Sequence, residues 1–285
     1  MTKAILPLSA KDESKMSPSI TKMLEEDKTL RYENNKETAQ ILISGMGETH
    51  LSVLVARLES RFGVKVVLDD PKIAYRERIT KPADIEAKYK KQNGGSGQYG
   101  HVKIRFAPAE DEGLTFSVSV VGGTVPKNFY PAVEKGLQDA MAKGALGYPL
   151  VQLGADLYDG SYHDVDSDEL SFRTAAQMAY KDCLTKASPV LLEPVGDLDI
   201  TVPESLVGTV MGDLNKRRGS VMGMDHTGCR KGYTTVHAIA PKAEIMDYPI
   251  ALRAMTKGFG SFEYNVTGYE VVPRDITAKV AAAKK

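Results

Sequence analysis

Apolar residues of the first 75 positions recur with the spacing of two helices and several short strands. Between Leu51 and Phe62, apolar side chains fall at i, i+3, i+4, i+7 and i+11, which predicts one buried helix face that ends at Gly63. A charged stretch over 12–26 predicts an earlier helix. Strands are predicted at 4–8, 30–33, 39–44 and 64–68. The order strand, helix, strand, strand, helix, strand is the split βαβ arrangement, in which two helices cover one face of an antiparallel sheet.

The same order returns at the other end of the chain, over residues 191–285. Alternation of apolar and polar residues over 198–202 predicts a half-buried strand. An apolar stripe between Leu206 and Leu214 predicts a helix. A strand pair over 221–224 and 234–240, a helix over 247–257 and a strand over 259–266 follow. The two ends of the chain are therefore predicted to carry two copies of one supersecondary pattern.

Residues 76–190 carry a different pattern. Alternating apolar residues predict strands at 102–106, 114–120 and 151–157. One helix is predicted to follow Pro126, and a second is predicted to end before Pro189. Asp166 and Glu169 have the spacing of a capping pair at the start of the second helix. The sequence therefore predicts three α+β domains in tandem, over 1–75, 76–190 and 191–285.

Composition limits the class of protein. The chain has 285 residues with 37 basic and 37 acidic side chains, so any contact with nucleic acid must come from local patches. Cys183 and Cys229 lie far apart and form no CxxC pair, which favours a reducing compartment. The N-terminus lacks the apolar core of a signal peptide, and no run reaches the ~18 apolar residues of a membrane helix. A soluble, cytoplasmic protein is expected.

Several short motifs resemble catalytic or ligand-binding sites, but the residues or elements around them do not fit those sites. Gly95, Gly97 and Gly100 match GxGxxG, but a strand follows instead of the helix that would bind a pyrophosphate, so a glycine hairpin tip is predicted. The P-loop sequence GxxxxGK followed by Ser or Thr does not occur. Gln98 breaks the GxSxG pattern of serine hydrolases, and the acidic run over 164–168 lacks the glycine and glutamate of a calcium loop. No catalytic residue and no metal site is predicted.

Two polar features each allow a structural and a functional interpretation. His163 lies in a predicted exposed loop, where a solvated histidine is favoured over a catalytic one. Lys216, Arg217 and Arg218 fall at the end of a predicted helix, where positive charge suits the helix dipole. With Lys231 in the following hairpin, the same residues could equally form a patch that binds RNA phosphates.

Six segments, in order along the chain, resemble the C-terminal half of bacterial elongation factor G, the ribosomal translocase. They are GMGETHLSVLVARLESRFGVKV, QNGGSGQYGHV, GSYHDVDSDELSF, ASPVLLEP, VMGDLNKRRG and LRAMTKGFGSF. The resemblance runs from Ile5 to Asp275 and covers the third, fourth and fifth domains of that family. Six matches with consistent spacing are far more specific than any single short motif.

The resemblance implies a fold for each block. In this family the third and fifth domains are small ferredoxin-like sandwiches, in agreement with the split βαβ order of both ends. The fourth domain is an elongated arm with a left-handed βαβ crossover, a ribosomal protein S5-like fold. The expected fold class is therefore α+β, with two ferredoxin-like split βαβ sandwiches flanking an elongated α+β arm domain.

The resemblance also implies where the chain meets RNA. The tip of the fourth domain enters the decoding region of the small ribosomal subunit and contacts the tRNA and mRNA as they advance. The matching tip residues are Gly94, Gly95, Ser96, Gly97, Gln98, Tyr99, His101, Ser161, Tyr162, His163 and Asp164. Their flat rings could stack on bases, and Lys88, Lys90 and Lys91 on the approach to the hairpin could bind phosphates. The tip histidine carries diphthamide in eukaryotic and archaeal relatives and is expected to be unmodified here.

The fifth domain of this family faces the factor-binding region of the large-subunit RNA. The resemblance therefore favours the phosphate interpretation for Lys216, Arg217, Arg218 and Lys231. GTP and Mg²⁺ belong to the N-terminal GTPase domain of the intact protein, so this chain is expected to have no cofactor and no catalytic site of its own. It is expected to be cut from a longer, monomeric protein rather than to be a GTPase-free relative.

Six acidic residues near the tip loop depart from the family pattern. They are Asp156, Asp159, Asp164, Asp166, Asp168 and Glu169. Like charge repels RNA phosphate, so an alternative function is a paralogous or GTPase-free ribosome-binding factor, for example in ribosome recycling. An acid–base or metal enzyme centred on His163 is disfavoured.

Overall fold

The structure is a computed structural model and describes residues 1–93, 96–226 and 231–283. The contacts between Cα atoms group the chain into two compact units. The first unit comprises Met1–Ala74 and Glu193–Glu270, and the second comprises Tyr75–Leu192 and Val271–Lys285. Each unit has its own buried apolar clusters.

The N-terminal part of the first unit is one antiparallel sheet with two helices. Its elements are β1 (Thr2–Pro7), α1 (Ala10–Glu26), β2 (Arg31–Asn35), β3 (Gln40–Ser44), α2 (Glu48–Phe62) and β4 (Val66–Asp69). The strands lie in the order β2-β3-β1-β4 and pair antiparallel throughout. The predicted order is confirmed, and Gly63 ends α2 with a φ of 62°, a left-handed conformation that glycine adopts without strain.

The core of this part follows directly from the helical spacing of its apolar residues. Leu51, Leu54 and Leu58 of α2 pack with Ile20 of α1 and Ile43 of β3, and all five are at most 1% exposed. Full burial of such a side chain stabilises the fold by roughly 1.5–3 kcal/mol. The small sandwich therefore has a hydrophobic core of its own.

The second unit is a four-stranded sheet with two helices on one face. Its elements are β5 (Arg76–Arg78), β6 (Ala83–Asn93), β7 (Ser96–Pro108), β8 (Leu114–Val118), a short 3-10 helix (Lys127–Phe129), α3 (Tyr130–Met141), β9 (Leu153–Ser161) and α4 (Glu169–Lys186). The sheet order is β6-β7-β9-β8, and β5 pairs instead with residues 190–192. Strands β8 and β9 are parallel and connected through α3, whereas the other pairs are antiparallel. This βαβ crossover agrees with the expected arm, and its handedness stays a prediction.

One strand of this unit was missed from the sequence, and one local prediction needs correction. Strand β6 is 11 residues long, but its charged side chains conceal the alternation that would have predicted it. The predicted capping pair of Asp166 and Glu169 is wrong, because α4 begins at Glu169 and Asp168 is its N-cap. The carboxylate of Asp168 accepts the N–H of Ser171 at 2.7 Å, as an N-cap side chain does.

The C-terminal part of the first unit repeats the split βαβ order. Its elements are β10 (Val190–Pro203), a short 3-10 helix (Glu204–Leu206), α5 (Val207–Lys216), β11 (Ser220–Asp225), β12 (Tyr233–Pro241), α6 (Lys242–Ile245), α7 (Tyr248–Thr256) and β13 (Ser261–Val271). The strands lie in the order β11-β12-β10-β13. Leu198, Val210, Val236 and Tyr248 are fully buried in its core. The predicted second copy of the pattern is confirmed.

A last helix, α8 (Arg274–Ala283), follows β13 and was not predicted from the sequence. It belongs to the second unit. None of the helices within the described ranges is long and apolar enough to cross a lipid bilayer.

Helices α3 and α4 approach each other closely at a glycine. A Cβ atom at Gly136 of α3 would lie 2.6 Å from the carbonyl oxygen of Arg173 in α4 and 3.1 Å from the Cβ of Ala176. Only the absence of a side chain at Gly136 allows the helices to pack at this distance.

Replacing Gly136 by Ala tests this packing. In an open helix the change stabilises a protein by roughly 0.5–1 kcal/mol, because alanine loses less conformational entropy on folding. For Gly136→Ala we expect a destabilisation of roughly 1–3 kcal/mol, because the new methyl group would overlap the backbone of α4. Chemical denaturation followed by circular dichroism measures the difference.

Gly212→Ala is the matched control for this experiment. Gly212 also lies in a helix, α5, but open space surrounds the position of its missing Cβ. We expect Gly212→Ala to be neutral or stabilising. A stabilising effect of Gly136→Ala would contradict the close approach of the two helices.

Candidate nucleic-acid interface

The sheet of the second unit has one covered face and one open face. The even-numbered residues of β7 from Val102 to Phe106 are buried against α3 and α4. Because side chains alternate along a strand, the odd-numbered residues from Tyr99 to Arg105 project from the open face. One end of this face is formed by residues 96–101 of β7 together with the loop 160–168 between β9 and α4. We call this region the arm tip.

Hydrogen bonds fix the loop of the arm tip against β7. The carboxylate of Asp166 accepts the N–H of Gly97 at 3.1 Å, and its backbone carbonyl accepts the N–H of Tyr99 at 2.8 Å. The hydroxyl of Ser167 donates to the carbonyl of Tyr99 at 2.9 Å. Asp166 therefore braces the hairpin, which is a role different from the predicted helix cap.

The glycines of the arm tip allow close contacts within the protein. A Cβ at Gly97 would lie 2.5 Å from the carboxyl carbon of Asp166, and one at Gly100 would lie 2.5 Å from the carbonyl oxygen of Ser171. A Cβ at Gly160 would overlap the carbonyl oxygen of His101. Backbone contacts therefore require glycine at positions 100 and 160 irrespective of any RNA, whereas at Gly97 the overlap would be with the side chain of Asp166. Gly94 and Gly95, the other two predicted glycines, lie outside the described residues.

His163 is held by its own loop with its ring 57% exposed. Its Nδ1 accepts the backbone N–H groups of Asp166 at 3.3 Å and Val165 at 3.4 Å, and its own N–H donates to Ser167 Oγ at 2.9 Å. The carboxylate of Asp166 also lies 3.5 Å from Nδ1, but the two N–H groups are closer, so we assign the proton of the neutral ring to Nε2. Nε2 makes no hydrogen bond to the described part of the chain, so it can donate to a ligand.

Three predicted tip residues are joined by a chain of short hydrogen bonds. Tyr99 Oη lies 2.7 Å from Ser161 Oγ, which lies 2.7 Å from His101 Nδ1. His101 Nε2 lies 2.9 Å from Glu86 Oε1. Glu86 was missed from the sequence, because its role depends on the register of the unpredicted strand β6. Ser161, His101 and Glu86 have the connectivity of a hydrolase triad, but they lie on the open face of a sheet rather than in a cleft.

The remaining predicted tip residues differ in how they are held. The side-chain oxygen of Gln98 accepts the hydroxyl of Tyr89 at 3.1 Å, so Gln98 is fixed within the hairpin. Tyr162 is 44% exposed, and Asp164 is exposed without a hydrogen bond to any described residue. Ser96 is the first residue of β7. Tyr162, His163 and Asp164 therefore form the exposed crest of the loop.

Lysines of β6 line the open face beside the arm tip. The ammonium group of Lys88 lies 5.1 Å from the centre of the Tyr99 ring, a cation–π distance. Lys90 pairs with Tyr99 in the strand register and projects from the same face, whereas Lys91 pairs with Gln98 and projects from the other face; all three lysines are exposed. The ring of Tyr99 also lies 6.5 Å from the ring of His163. Positive charge and aromatic rings therefore occur together at this end of the sheet.

Most acidic residues near the tip are engaged inside the protein. Asp156 accepts the hydroxyls of Ser117 at 3.1 Å and Ser119 at 2.7 Å. Asp166 braces the hairpin and Asp168 caps α4, as described above. Only Asp164 and Glu169 of the six predicted acids lack such a partner within the described ranges. The hydrogen bonds give the other acids a structural role, but a carboxylate that accepts from a neutral donor keeps its negative charge.

Asp159 is the acid most strongly held in its ionised form. Its carboxylate accepts the ammonium of Lys103 at 3.0 Å and the hydroxyl of Thr124 at 3.0 Å. These bonds, together with the backbone N–H of Gly160, lower the pKa of Asp159 from 3.8 to about 2, with the Lys103 bond as the largest cause. The pair neutralises one negative and one positive charge on the open face.

The predicted phosphate-binding arginines bind carboxylates of their own domain. Arg217 donates to Asp213 at 2.8 Å and to Asp247 at 2.6 Å. Arg218 donates both terminal nitrogens to Glu193, at 2.5 and 3.0 Å, and its Nε to Glu244 at 2.9 Å. The carboxylates raise the pKa of both guanidinium groups further. Arg217 and Arg218 therefore fix the end of α5, and their phosphate role stays a prediction.

Lys216 and Lys231 differ from these arginines. Both are exposed, and neither forms an ion pair with a residue that the structure describes. They remain available to an external anion. Within the described ranges, no group of three or more His, Cys, Asp or Glu side chains could hold a metal ion.

Comparisons with known proteins agree with this architecture. The family models described as Elongation Factor G, domain III, Elongation factor G, domain IV, and Elongation factor G C-terminus match residues 1–70, 71–188 and 190–280. A crystal structure of a protein from Thermus thermophilus matches with a TM-score of 0.87 and 38% sequence identity over 100% of this chain. The match covers 43% of that chain, so the present chain spans less than half of its length.

Two split βαβ sandwiches and a crossover arm, matched by three consecutive domain models, define a set of translation-factor domains. The chain belongs to the elongation factor G family. Its α+β fold class is confirmed by the sheets and by the family matches.

Asp166→Ala tests the brace between the loop and the hairpin. The change removes the acceptor of the Gly97 N–H, and a hydrogen bond of roughly 1–1.5 kcal/mol corresponds to about a tenfold change in local opening. We therefore expect amide hydrogen exchange at Gly97 to become about tenfold faster. Asp164→Ala, in the same loop, is the control, because Asp164 has no hydrogen bond to a described residue. Equal exchange rates in the two variants would disprove the brace.

The Asp159–Lys103 pair predicts a pH-dependent stability. Because the pKa of Asp159 is lowered from 3.8 to about 2, its contribution is present above about pH 4 and is lost as the pH falls toward 2. Asp159→Asn should lower Tm at neutral pH, and the difference from wild type should shrink in acid. Calorimetry across this range measures it, and a difference that grows in acid would be inconsistent with the pair.

Proposed function

We propose that this chain is the ribosome-binding portion of an elongation factor G-like translational GTPase that promotes translocation of tRNA and mRNA. In this proposal the arm tip enters the decoding region of the small subunit. The observation that carries it is the arrangement of His163, an exposed ring that is anchored through Nδ1 and presents Nε2 outward. A side chain held in this way is prepared to contact a ligand without a large loss of conformational entropy.

The chemistry of the tip suits irregular RNA rather than a regular duplex. Unpaired RNA is recognised by stacking of bases on flat rings and by hydrogen bonds to base edges and ribose. His163 and Tyr162 supply exposed rings, and the Nε2–H of His163 supplies a donor. Lys88 and Lys90 add positive charge for the phosphate backbone. The moving tRNA and mRNA at the decoding region offer such partners.

The arm acts mechanically in this proposal. Its tip is braced on a sheet by the Asp166 hydrogen bonds, so force applied to the tip is transmitted to the folded unit. The energy of the cycle comes from GTP bound in a GTPase domain of the intact protein, outside this chain. GTP hydrolysis and tip contacts should therefore be separable by mutation.

The C-terminal part contributes a second RNA contact. Lys216 and Lys231 bind phosphates of the large-subunit RNA near the factor-binding region, since both are exposed and unpaired within the described residues. Arg217 and Arg218 hold the end of α5 in position for this contact. The protein works as a cytoplasmic monomer between ribosome-bound states.

A second candidate is a paralogous ribosome-binding factor with a role other than translocation, such as recycling. The exposed carboxylates of Asp164 and Glu169 beside His163 favour it, because they oppose close approach of RNA phosphates. The two candidates differ in whether the tip accelerates movement of tRNA and mRNA.

His163→Ala in the intact GTPase tests the proposed function. Loss of one ring and one donor at an RNA contact costs roughly 1–3 kcal/mol, so translocation should slow by about tenfold or more while GTP hydrolysis stays near the wild-type rate. Rapid-kinetic assays of mRNA movement and phosphate release measure the two steps separately.

His237→Ala is the control for this experiment. His237 is also a half-exposed histidine, but it pairs with Asp199 at 2.6 Å on the sheet of the C-terminal part. We expect it to change neither step. Equal loss of translocation and GTP hydrolysis in His163→Ala would contradict a tip role, and unchanged translocation would favour the paralogous function.

A further inference from the structure

We propose that His101 is a positioning residue of the arm tip. When His101 is protonated, the hydrogen bonds through Ser161 reverse direction. The hydroxyl group of Tyr99 can then donate a hydrogen bond to an acceptor outside the protein. Three hydrogen bonds of 2.7, 2.7 and 2.9 Å join Tyr99, Ser161, His101 and Glu86. We call these four residues the tip relay. Its use toward RNA rests on the function proposed above.

When His101 is neutral, every hydrogen bond of the tip relay is donated in the direction from Tyr99 to Glu86. The carboxylate of Glu86 can only accept, so the ring proton lies on Nε2 and Nδ1 is an acceptor. Nδ1 then accepts a hydrogen bond from the Ser161 hydroxyl. The 2.7 Å contact between Ser161 and Tyr99 also needs a proton, and only Tyr99 can supply it. The hydroxyl of Tyr99 therefore donates its hydrogen bond to Ser161 within the protein.

Protonation of His101 reverses this order. A proton taken from solvent binds Nδ1, which then donates to Ser161 Oγ. The Ser161 proton must leave that contact, and the oxygen of Tyr99, already 2.7 Å away, is its other partner within the described residues. Once Ser161 donates to Tyr99, the Tyr99 proton is free to point outward. No covalent bond to carbon changes, and the tip gains one positive charge and one free hydroxyl donor.

The setting of His101 suits a relay. Its side chain is only 12% exposed, so water competes little for the two ring nitrogens. The charged groups that face it are Glu86 and Lys88 of β6, with Lys88 opposite it in the register, and the Lys103–Asp159 pair across β7 and β9. Helices α3 and α4 cover the other face of the sheet. His101 contacts the carboxylate of Glu86, and the other three charged groups occupy neighbouring positions on the same face of the sheet.

The released donor is placed where RNA would meet the tip. Tyr99 lies under the ammonium group of Lys88 and beside the ring of His163. RNA offers acceptors there as phosphate oxygens, 2′-hydroxyls and base edges. A hydrogen bond to a charged acceptor corresponds to about a tenfold change in affinity. Ribosome affinity should therefore be about tenfold higher when His101 is protonated than when it is neutral.

NMR of the 285-residue chain with ¹⁵N-labelled histidine tests the relay without any ribosome. We expect Nε2 of His101 to stay protonated over the whole titration, while Nδ1 changes from an unprotonated acceptor to a protonated donor. A neutral ring with its proton on Nδ1, or a ring that does not protonate on Nδ1, would overturn the proposal.

Ribosome binding, measured at one pH below and one pH above the midpoint of this NMR titration, tests the consequence. In His101→Gln, which keeps a polar side chain but cannot titrate, the affinity gain should vanish. In Tyr99→Phe, which keeps the histidine but lacks the released donor, most of the gain should be lost. His237→Gln, in a histidine–carboxylate pair outside the relay, should behave as wild type. Amide spectra of each variant establish that it is folded.

The outcomes separate this inference from the proposed function. A full affinity gain in His101→Gln or in Tyr99→Phe would contradict the relay. No ribosome binding at either pH, together with the expected ¹⁵N titration, would contradict the proposed function and support the relay. If His101 had only a structural role, His101→Gln would lower ribosome affinity equally at both pH values, and this result would contradict the relay.

Discussion

The hydrogen bonds between the loop 160–168 and strand β7 are the constraint on which the arm tip depends. Asp166 and Ser167 connect two segments that are remote in sequence, and the same loop then holds His163 through its Nδ1. Without these bonds the hairpin end and the loop would be two independent exposed segments. With them, the aromatic rings and the lysines of the open sheet face form one surface of fixed geometry.

The same constraint explains residue types that otherwise look like ligand-binding features. Glycines at a predicted RNA contact are needed because the backbone of α4 or β7 lies where Cβ atoms of Gly100 and Gly160 would be. The acidic residues Asp156 and Asp159 hold neighbouring strands through serine, threonine and lysine partners. Much of the unusual composition of the tip therefore serves its internal structure, and the loop crest at 162–164 is left for a partner.

Periodicity was sufficient for the two sandwiches but not for the details of the arm. Apolar spacing in α2 and alternation in β10 predict the split βαβ order, because burial on one face dictates both. Strand β6 escapes prediction, since exposed lysines interrupt its pattern. The role of Glu86 was not predicted either, because a hydrogen bond between strands depends on their register. The carboxylate partners of Arg217 and Arg218 come from distant segments, so helix position alone could not show that these arginines are engaged.

We propose that the crest of the arm tip contacts RNA of the decoding region. Directed hydroxyl-radical probing tests it most directly, with an iron chelate tethered to Tyr162→Cys and, as a control, to Gln138→Cys on the exposed side of α3. We expect ribosome-bound protein to cleave small-subunit RNA at the decoding region from position 162 and not from position 138. Cleavage confined to other RNA regions, or equal cleavage from both positions, would contradict the account.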